Sequence, residues 1–426
     1  MANVHIIGAG MAGLSAAVKL THLGYNVTLY EAAPQAGGRC RSYYDNKLDC
    51  EIDNGNHLLL SGNKYVEQYL DFIGAKDGLI GPDEAVFPFM DIRSGKRWDI
   101  RFNNGALPFW LLKKSARVPG ASLKQHLALA KLLRADKNHV IADFVGKDNP
   151  LYERLIEPLS VAVINMPPET ASANLMSNVL AETIMKGGKA CQPRLAAESL
   201  SKTFVEPALA YLAANNTPVK FGARLKSIIK NDKHVTSLNF STDSVEIREQ
   251  DCVIMALPPE PTGDILDFIT APQEYSSIVN AHFKLPAPIK VDWPAPLIGL
   301  IGAASQWVFV RDNIASITIS AGDEFLGESP DSLASKLWAE IAPLLGEDAS
   351  QVPPARIIKE KRATLAQTPD LEPQRPSVLT PLNNLFLAGD WTYTALPATI
   401  EGAVRSGANA ATYASIKLQI HAKART

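Results

Sequence analysis

An α/β fold is predicted for this chain, with a parallel sheet assembled from separated stretches of sequence and an α+β domain interleaved between them. Three observations carry that prediction. The first ten residues, "MANVHIIGAG", are an apolar strand running into glycines. A strand, a glycine and an acid recur almost at the far end, in "LFLAGDWTYTALPATIEGAVRSG" (385 to 407). At 426 residues the chain exceeds what one hydrophobic core usually supports, so two domains are expected.

The opening unit reads in order. "VHIIGAG" is a strand entering a turn, and Gly8, Gly10 and Gly13 stand at GxGxxG spacing ahead of a helix rich in Ala and Leu. Each glycine has a mechanical reason: a tight turn, close approach of backbone to a pyrophosphate, and close packing of helix on strand. The helix N-terminus, around Ala12, offers free N–H groups and a positive dipole end to the phosphates. Gly24 and a second strand follow, and Glu31 falls 23 residues past Gly8, in range of a ribose 2′-hydroxyl. An acid there disfavours a 2′-phosphate. A lone GxGxxG also fits any glycine-rich turn, but here strand, helix, second strand and acid all fall in place. "GGRCRS" (37 to 42) comes next, where Gly38 opens the backbone and Arg39 is a cation able to reach phosphate bidentately.

Further along, "DNGNHLLLSGN" (53 to 63) contains Gly55, Asn56 and His57. Residues 105–134 set Leu107, Phe109, Trp110, Leu111 and Leu112 beside Lys113, Lys114, Arg117 and Lys124. An apolar patch bordered by cations suits peripheral entry into an anionic bilayer surface; the plainer alternative is a buried helical subdomain with solvated lysines. Positions 217 to 257 read as short strands closing on "CVIMALPPE". "APLIGLIGAASQWVFV" (295 to 310) is shorter than about 18 residues and carries Ser305 and Gln306, so it reads as core rather than as a membrane span. The last stretch runs through Gly389 and Asp390 into a helix expected to open at Pro397, because proline in a first turn loses no hydrogen bond. The parallel-sheet domain is expected from residues 1–70, 195–262 and 352–426. The interleaved domain then takes 71–194 and 263–351.

Composition removes several classes of function. Lys plus Arg number 42 and Asp plus Glu 44, so no global field draws the protein to nucleic acid. The four cysteines show no CxxC spacing and the eight histidines no HExxH pair, so neither a disulfide framework nor a metal site is expected. No basic and apolar leader precedes the first strand, and the expected location is cytoplasmic, at the membrane face.

The run from the first strand to "GGR" resembles the flavin-containing amine oxidase and phytoene desaturase superfamily. That resemblance implies a Rossmann-like two-dinucleotide-binding FAD domain with the adenine at the opening unit. It implies that backbone near Leu225 touches adenine and that Asp390 binds the ribityl or pyrophosphate region. It also implies that the "DNGNH" segment runs past the flavin ring, and that the first N–H groups of the last helix, around Thr399 and Ile400, face it. A helix N-terminus suits that place on physical grounds, since reduced flavin carries negative charge near N1.

"DNGNH", "QWVFVR" (306 to 311) and "GDWTYTALPATIEGAVRSG" together are similar to the hydroxysqualene dehydroxylases of bacterial hopanoid synthesis. Asn56 departs from the glutamine expected before the histidine. This resemblance implies noncovalent FAD, an apolar C30 isoprenoid substrate and upstream squalene-synthase-like enzymes. It implies His57 as a general acid beside the ring and Trp307 as an electron-rich face for an allylic cation. A plain core tryptophan is the alternative for Trp307, and a structural histidine for His57. There is no second nucleotide fingerprint, which leaves NAD(P)H visiting transiently, or a partner protein, as electron donor. Amine oxidases usually carry an aromatic where this chain has Thr399. A carotenoid desaturase is the rival enzyme, and a flavin-bearing scaffold the rival outside enzymes.

Overall fold

The computed structural model describes residues 2–423. Five parallel strands form one sheet, in the spatial order Val219–Lys220, Asn26–Tyr30, Asn3–Ile7, Cys252–Met255, Leu385–Leu387. Its central strands are apolar in succession because both faces are covered: Val4, Ile6, Val253, Ile254 and Met255 are all fully buried. The expected α/β class is therefore present, and its strands come from three separated parts of the chain.

The opening helix (Met11–His22) and the C-terminal helix (Ile400–Lys423) lie side by side on one face of this sheet. Ser15 Oγ donates to the Val404 carbonyl at 2.8 Å. A Cβ on Gly407 would stand 2.0 Å from the Ala12 carbonyl oxygen, so glycine alone permits so close an approach. The two ends of the sequence thus build one layer. The other face carries an antiparallel meander (Leu225–Lys230, Val235–Phe240, Ser244–Glu246) whose Leu225, Leu238 and Phe240 pack with Ile7, Tyr30 and Met255.

The second sheet has seven strands in the order Ala355–Leu365, Tyr275–Lys284, Ile314–Ser320, Trp307–Arg311, Leu297–Ile301, Ala85–Asp91, Lys96–Phe102. The expected boundary at 352 is corrected here. Strand Ala355–Leu365 pairs antiparallel with Tyr275–Lys284, so the third stretch of the parallel-sheet domain starts beyond Leu365. A helix (Pro330–Leu345) covers one face of this sheet, setting Leu333, Leu337, Trp338 and Ile341 against Val279, Phe283 and Ile317. Over residues 109–156 the chain runs mostly in single turns of 3-10 and π helix, with one short α-helix, Leu123–Ala128. Such turns leave no 3.6-residue period to read.

Candidate active site

Three stretches that are distant in sequence meet along the edge between the two sheets. The first is the glycine turn. A Cβ on Gly13 would lie 1.8 Å from the Gly8 carbonyl, and one on Gly8 2.5 Å from the Ala256 carbonyl, so both positions are closed to any side chain. Gly10 heads the opening helix, and no side chain caps that end. Glu31 uses one oxygen on the Ala9 N–H (2.7 Å) and the other on the Ala33 N–H (2.8 Å). Its remaining lone pairs are free to accept from a ribose. Ala223 N–H donates to the Glu31 carbonyl, which brings Leu225, two residues on, to the same end of the site. The Gly37 N–H donates to the Ala9 carbonyl, folding "GGR" back over the turn, with Gly38 against Gly10.

Arg39 departs from what its motif predicts. Its guanidinium is divided between Asp390 Oδ1 (2.6 Å) and the Ala363 carbonyl (2.5 Å), so it is not a cation with both arms directed at phosphate. The Asp390 carboxylate holds it firmly charged. The contact joins the opening motif to the closing one.

The closing stretch also differs in detail. The last helix begins at Ile400 and not at Pro397. Ala395 takes a left-handed φ of 61°, and the Ala398 N–H is drawn off to the Gln367 side chain at 2.7 Å, so the backbone from 395 to 398 is occupied elsewhere. Thr399 caps the helix, its hydroxyl accepting from the Gly402 N–H at 3.1 Å. The N–H groups of Ile400 and Glu401 have no acceptor among the described residues, the arrangement an electron-rich ring edge would use. Glu401 caps the helix Lys64–Phe72 through the N–H groups of Tyr65 (3.1 Å) and Val66 (2.9 Å), and burial raises its pKa.

Two residues that sequence reasoning missed hold this loop. Buried Gln367 bridges the Ile164 carbonyl and the Ala398 N–H, each at 2.7 Å. Buried Arg375 donates to the carbonyls of Leu396 (2.7 Å), Asp390 (2.6 Å) and Thr392 (2.7 Å). The signal for Arg375 was an arginine lodged between Pro373 and Pro376 just ahead of the last strand; Gln367 left none.

The third stretch is "DNGNH". Asp53 Oδ2 accepts from Arg311 Nη1 at 2.9 Å, while Oδ1 accepts from Ser42 Oγ and the Leu200 N–H. "DNGNH" and "QWVFVR" are therefore tied directly. Asn56 Nδ2 donates to Thr318 Oγ1 at 3.0 Å, and Gly55 is packed against the Asn280 amide. Directly opposed residues share a sheet face. Asn280, Thr318, Trp307, Gly299, Phe89 and Trp98 form such a row from strand to strand. Gly299 leaves room for Phe89 and Trp307 to meet edge to face at 5.4 Å, and Trp98 stacks on Phe89 at 5.7 Å. Trp307 is thus a buried wall residue in the same row as the partner of Asn56, and its indole N–H has no acceptor among the described residues.

His57 is half-buried, and burial lowers its pKa to about 4, with Asp53 raising it and Arg39 lowering it. Burial thus favours the neutral imidazole over the imidazolium form of a general acid. The residues present fit an extended dinucleotide cofactor such as FAD. A glycine cradle with an uncapped helix lies at one end, and free helix N–H groups lie at the other.

The comparisons with known proteins agree with that geometry. The model of a family described as flavin containing amine oxidoreductase matches residues 11–414. The hydroxysqualene dehydroxylase of Rhodopseudomonas palustris is 45% identical over 410 residues, covering 96% of this chain and 97% of its own. A probable zeta-carotene desaturase of Synechococcus elongatus is 24% identical, covering 96% and 98%. Among solved structures, the cyclohexylamine oxidase of Brevibacterium oxydans superposes with a TM-score of 0.73 at 13% identity, covering 98% of this chain and 99% of the other, a likeness of fold alone. With a glycine cradle, a capped closing helix and close relatives along nearly the whole length, the chain is a flavoprotein that belongs to the flavin containing amine oxidoreductase family, among its hydroxysqualene dehydroxylases.

Proposed function

We propose that the chain catalyses the reductive dehydroxylation of hydroxysqualene to squalene with noncovalently held FAD. The observation that carries this reading is the 45% identity to a hydroxysqualene dehydroxylase over 96% of the chain, against 24% to a carotene desaturase. When bound, the flavin supplies the two electrons as a hydride equivalent. The balance is simple: the allylic C–O bond breaks, the oxygen takes up one proton from solvent and leaves as water, and a hydride replaces it on carbon.

The chain's own residues have separate parts in this. Gly8, Gly10, Ala12 and Gly13 take the pyrophosphate, Glu31 the ribose, and backbone near Leu225 the adenine. Gly38, Arg39, Gly389 and Asp390 order the middle of the cofactor, and Thr399 and Ile400 meet the ring end. The row of Trp307 and Phe89 excludes water and presents π electrons to an allylic cation. Asn56 and Gly55, which touch Thr318 and Asn280 of that row, fix the backbone that carries His57. In the neutral form that burial favours, His57 serves as a hydrogen-bond partner of the departing oxygen. Glu31→Ala and Asp390→Ala are each expected to weaken FAD binding at least about tenfold, read by fluorescence titration. An unchanged affinity removes that residue from the site.

Direction of transfer decides between this reading and its rival. Reduced anaerobically with a deuteride-labelled reductant, NAD(P)H being the first to try, the protein should convert hydroxysqualene to squalene with one deuterium at the former carbinol carbon. Phytoene dehydrogenated while hydroxysqualene is untouched would establish the desaturase reading instead, and squalene that stays unlabelled under conditions of slow solvent exchange would exclude direct hydride delivery.

A further inference from the structure

The segment from 105 to 134 turns its apolar side chains in two directions. Trp110 points inward, its ring edge-on to Phe102 at 5.2 Å, and Leu111 is buried. Leu107, Phe109, Leu112 and Leu127 point outward and are 64%, 61%, 67% and 52% exposed. The structure adds Met185, 43% exposed, from a turn whose Gly188 N–H donates to the Asn103 carbonyl at 2.7 Å. These outward residues are held in place. Asn103 accepts from the Trp110 N–H at 3.0 Å and donates to the carbonyls of Gly105 and Leu107, both at 2.9 Å. Arg117 donates to the Leu111 carbonyl at 2.7 Å.

Within this segment the charge is one-sided. From Gly105 to Ala135 the sequence contains Lys113, Lys114, Arg117, Lys124, Lys131 and Arg134 and no acid, in a chain whose net charge is −2. Lys113, Lys114, Lys124 and Lys131 are exposed and form no ion pair with the described residues. Lys186 and Lys189, beside Met185, are exposed too. Large exposed apolar side chains interleaved in sequence with exposed cations match the interface of an anionic bilayer, apolar below and negative above. The tip is also continuous with the site. Trp110, Phe102 and Leu58, the neighbour of His57, all pack on the apolar cluster that contains Trp307 and Phe89.

We infer that the tip formed by Leu107, Phe109, Leu112, Leu127 and Met185, with its lysines, docks on an anionic lipid surface and takes its apolar substrate from there. The docking rests on the surface itself, and the uptake rests on the function proposed above. No described helix is long and apolar enough to cross a membrane, so the contact is peripheral.

The test uses flavin-loaded protein and phosphatidylcholine vesicles with and without phosphatidylglycerol, read by co-sedimentation. The intact chain should bind only the anionic vesicles and be released by salt. Lys113→Glu with Lys114→Glu should lower partitioning at least about 30-fold, and Phe109→Ser with Leu112→Ser at least about tenfold. Both variants should keep flavin and thermal midpoint, turn over detergent-dispersed substrate normally, and lose turnover of substrate embedded in vesicles. Absence of vesicle binding, or binding indifferent to lipid charge and to both variants, overturns the inference. So does a dimer in sedimentation velocity that Phe109→Ser dissolves, which would make a second copy the occupant. Vesicle binding that follows the prediction while hydroxysqualene goes unconverted in either form would sink the proposed reaction and leave the docking standing.

Discussion

Gly10→Ala is expected to fold like the parent chain and yet purify largely without flavin colour. At Gly10 a Cβ would meet nothing within 4 Å, and its φ of −74° is one that any residue adopts. Folding therefore tolerates alanine there. The same methyl group would project at the uncapped head of the opening helix, where a pyrophosphate must come close to the backbone. A loss of affinity of about 100-fold, or about 2.7 kcal/mol, is the scale expected. Gly13→Ala offers the contrast, because its Cβ would sit 1.8 Å from the Gly8 carbonyl and the helix must shift before the chain can fold normally. Urea midpoints and flavin titrations on both variants separate the two effects. A Gly10→Ala protein that retains full colour would show that phosphate is not bound at this turn.

The second large effect is acid instability at pH values where most carboxylates are still ionised. His5 and His282 are 4% and 2% exposed, and burial pushes each from 6.5 down to about 4. His5 lies against the Tyr30 hydroxyl at 3.1 Å, and His282 against Ser316 Oγ at 2.7 Å. Because their folded values are depressed, the unfolded chain takes up protons below pH 6.5 that the folded chain refuses. The stability they contribute is complete above pH 6.5 and is lost as the pH falls through 6.5 towards 4. Each is worth at most about 3 kcal/mol over that window. Asp45, Asp91 and Asp251, whose pKa values lie below the ordinary carboxylate range, act only at lower pH. The urea midpoint should therefore drop steeply between pH 6.5 and 4, and His5→Gln with His282→Gln should flatten that drop. An equally steep drop in the double variant would assign the effect to other groups.

What was legible in the sequence was local. The glycine turn could be read because its spacing, its flanking strands and Glu31 all lie within about thirty residues and obey one mechanical logic. The short strands between 217 and 257 were readable for the same reason, but their pairing as a meander was not. The helix start at Ile400 was not, because the competing acceptor for the Ala398 N–H is Gln367, which lies 31 residues upstream. Arg39 was assigned to phosphate because its partner Asp390 is 351 residues away in sequence.

The sequence by itself determined the class of fold, the cofactor-binding turn, the presence of a second such device at the far end and the family likeness. All of these rest on short-range patterns of glycine, charge and hydrophobicity that the backbone must obey wherever the chain goes. Only the tertiary structure decided that the two ends pack as one layer, that strand Ala355–Leu365 belongs to the second sheet, and that Asp53 meets Arg311. It also decided that His57 is half-buried and which apolar side chains between 105 and 134 face outward. Those outcomes depend on burial and on pairing across hundreds of residues, and no local pattern encodes what a side chain will face once the chain has closed on itself.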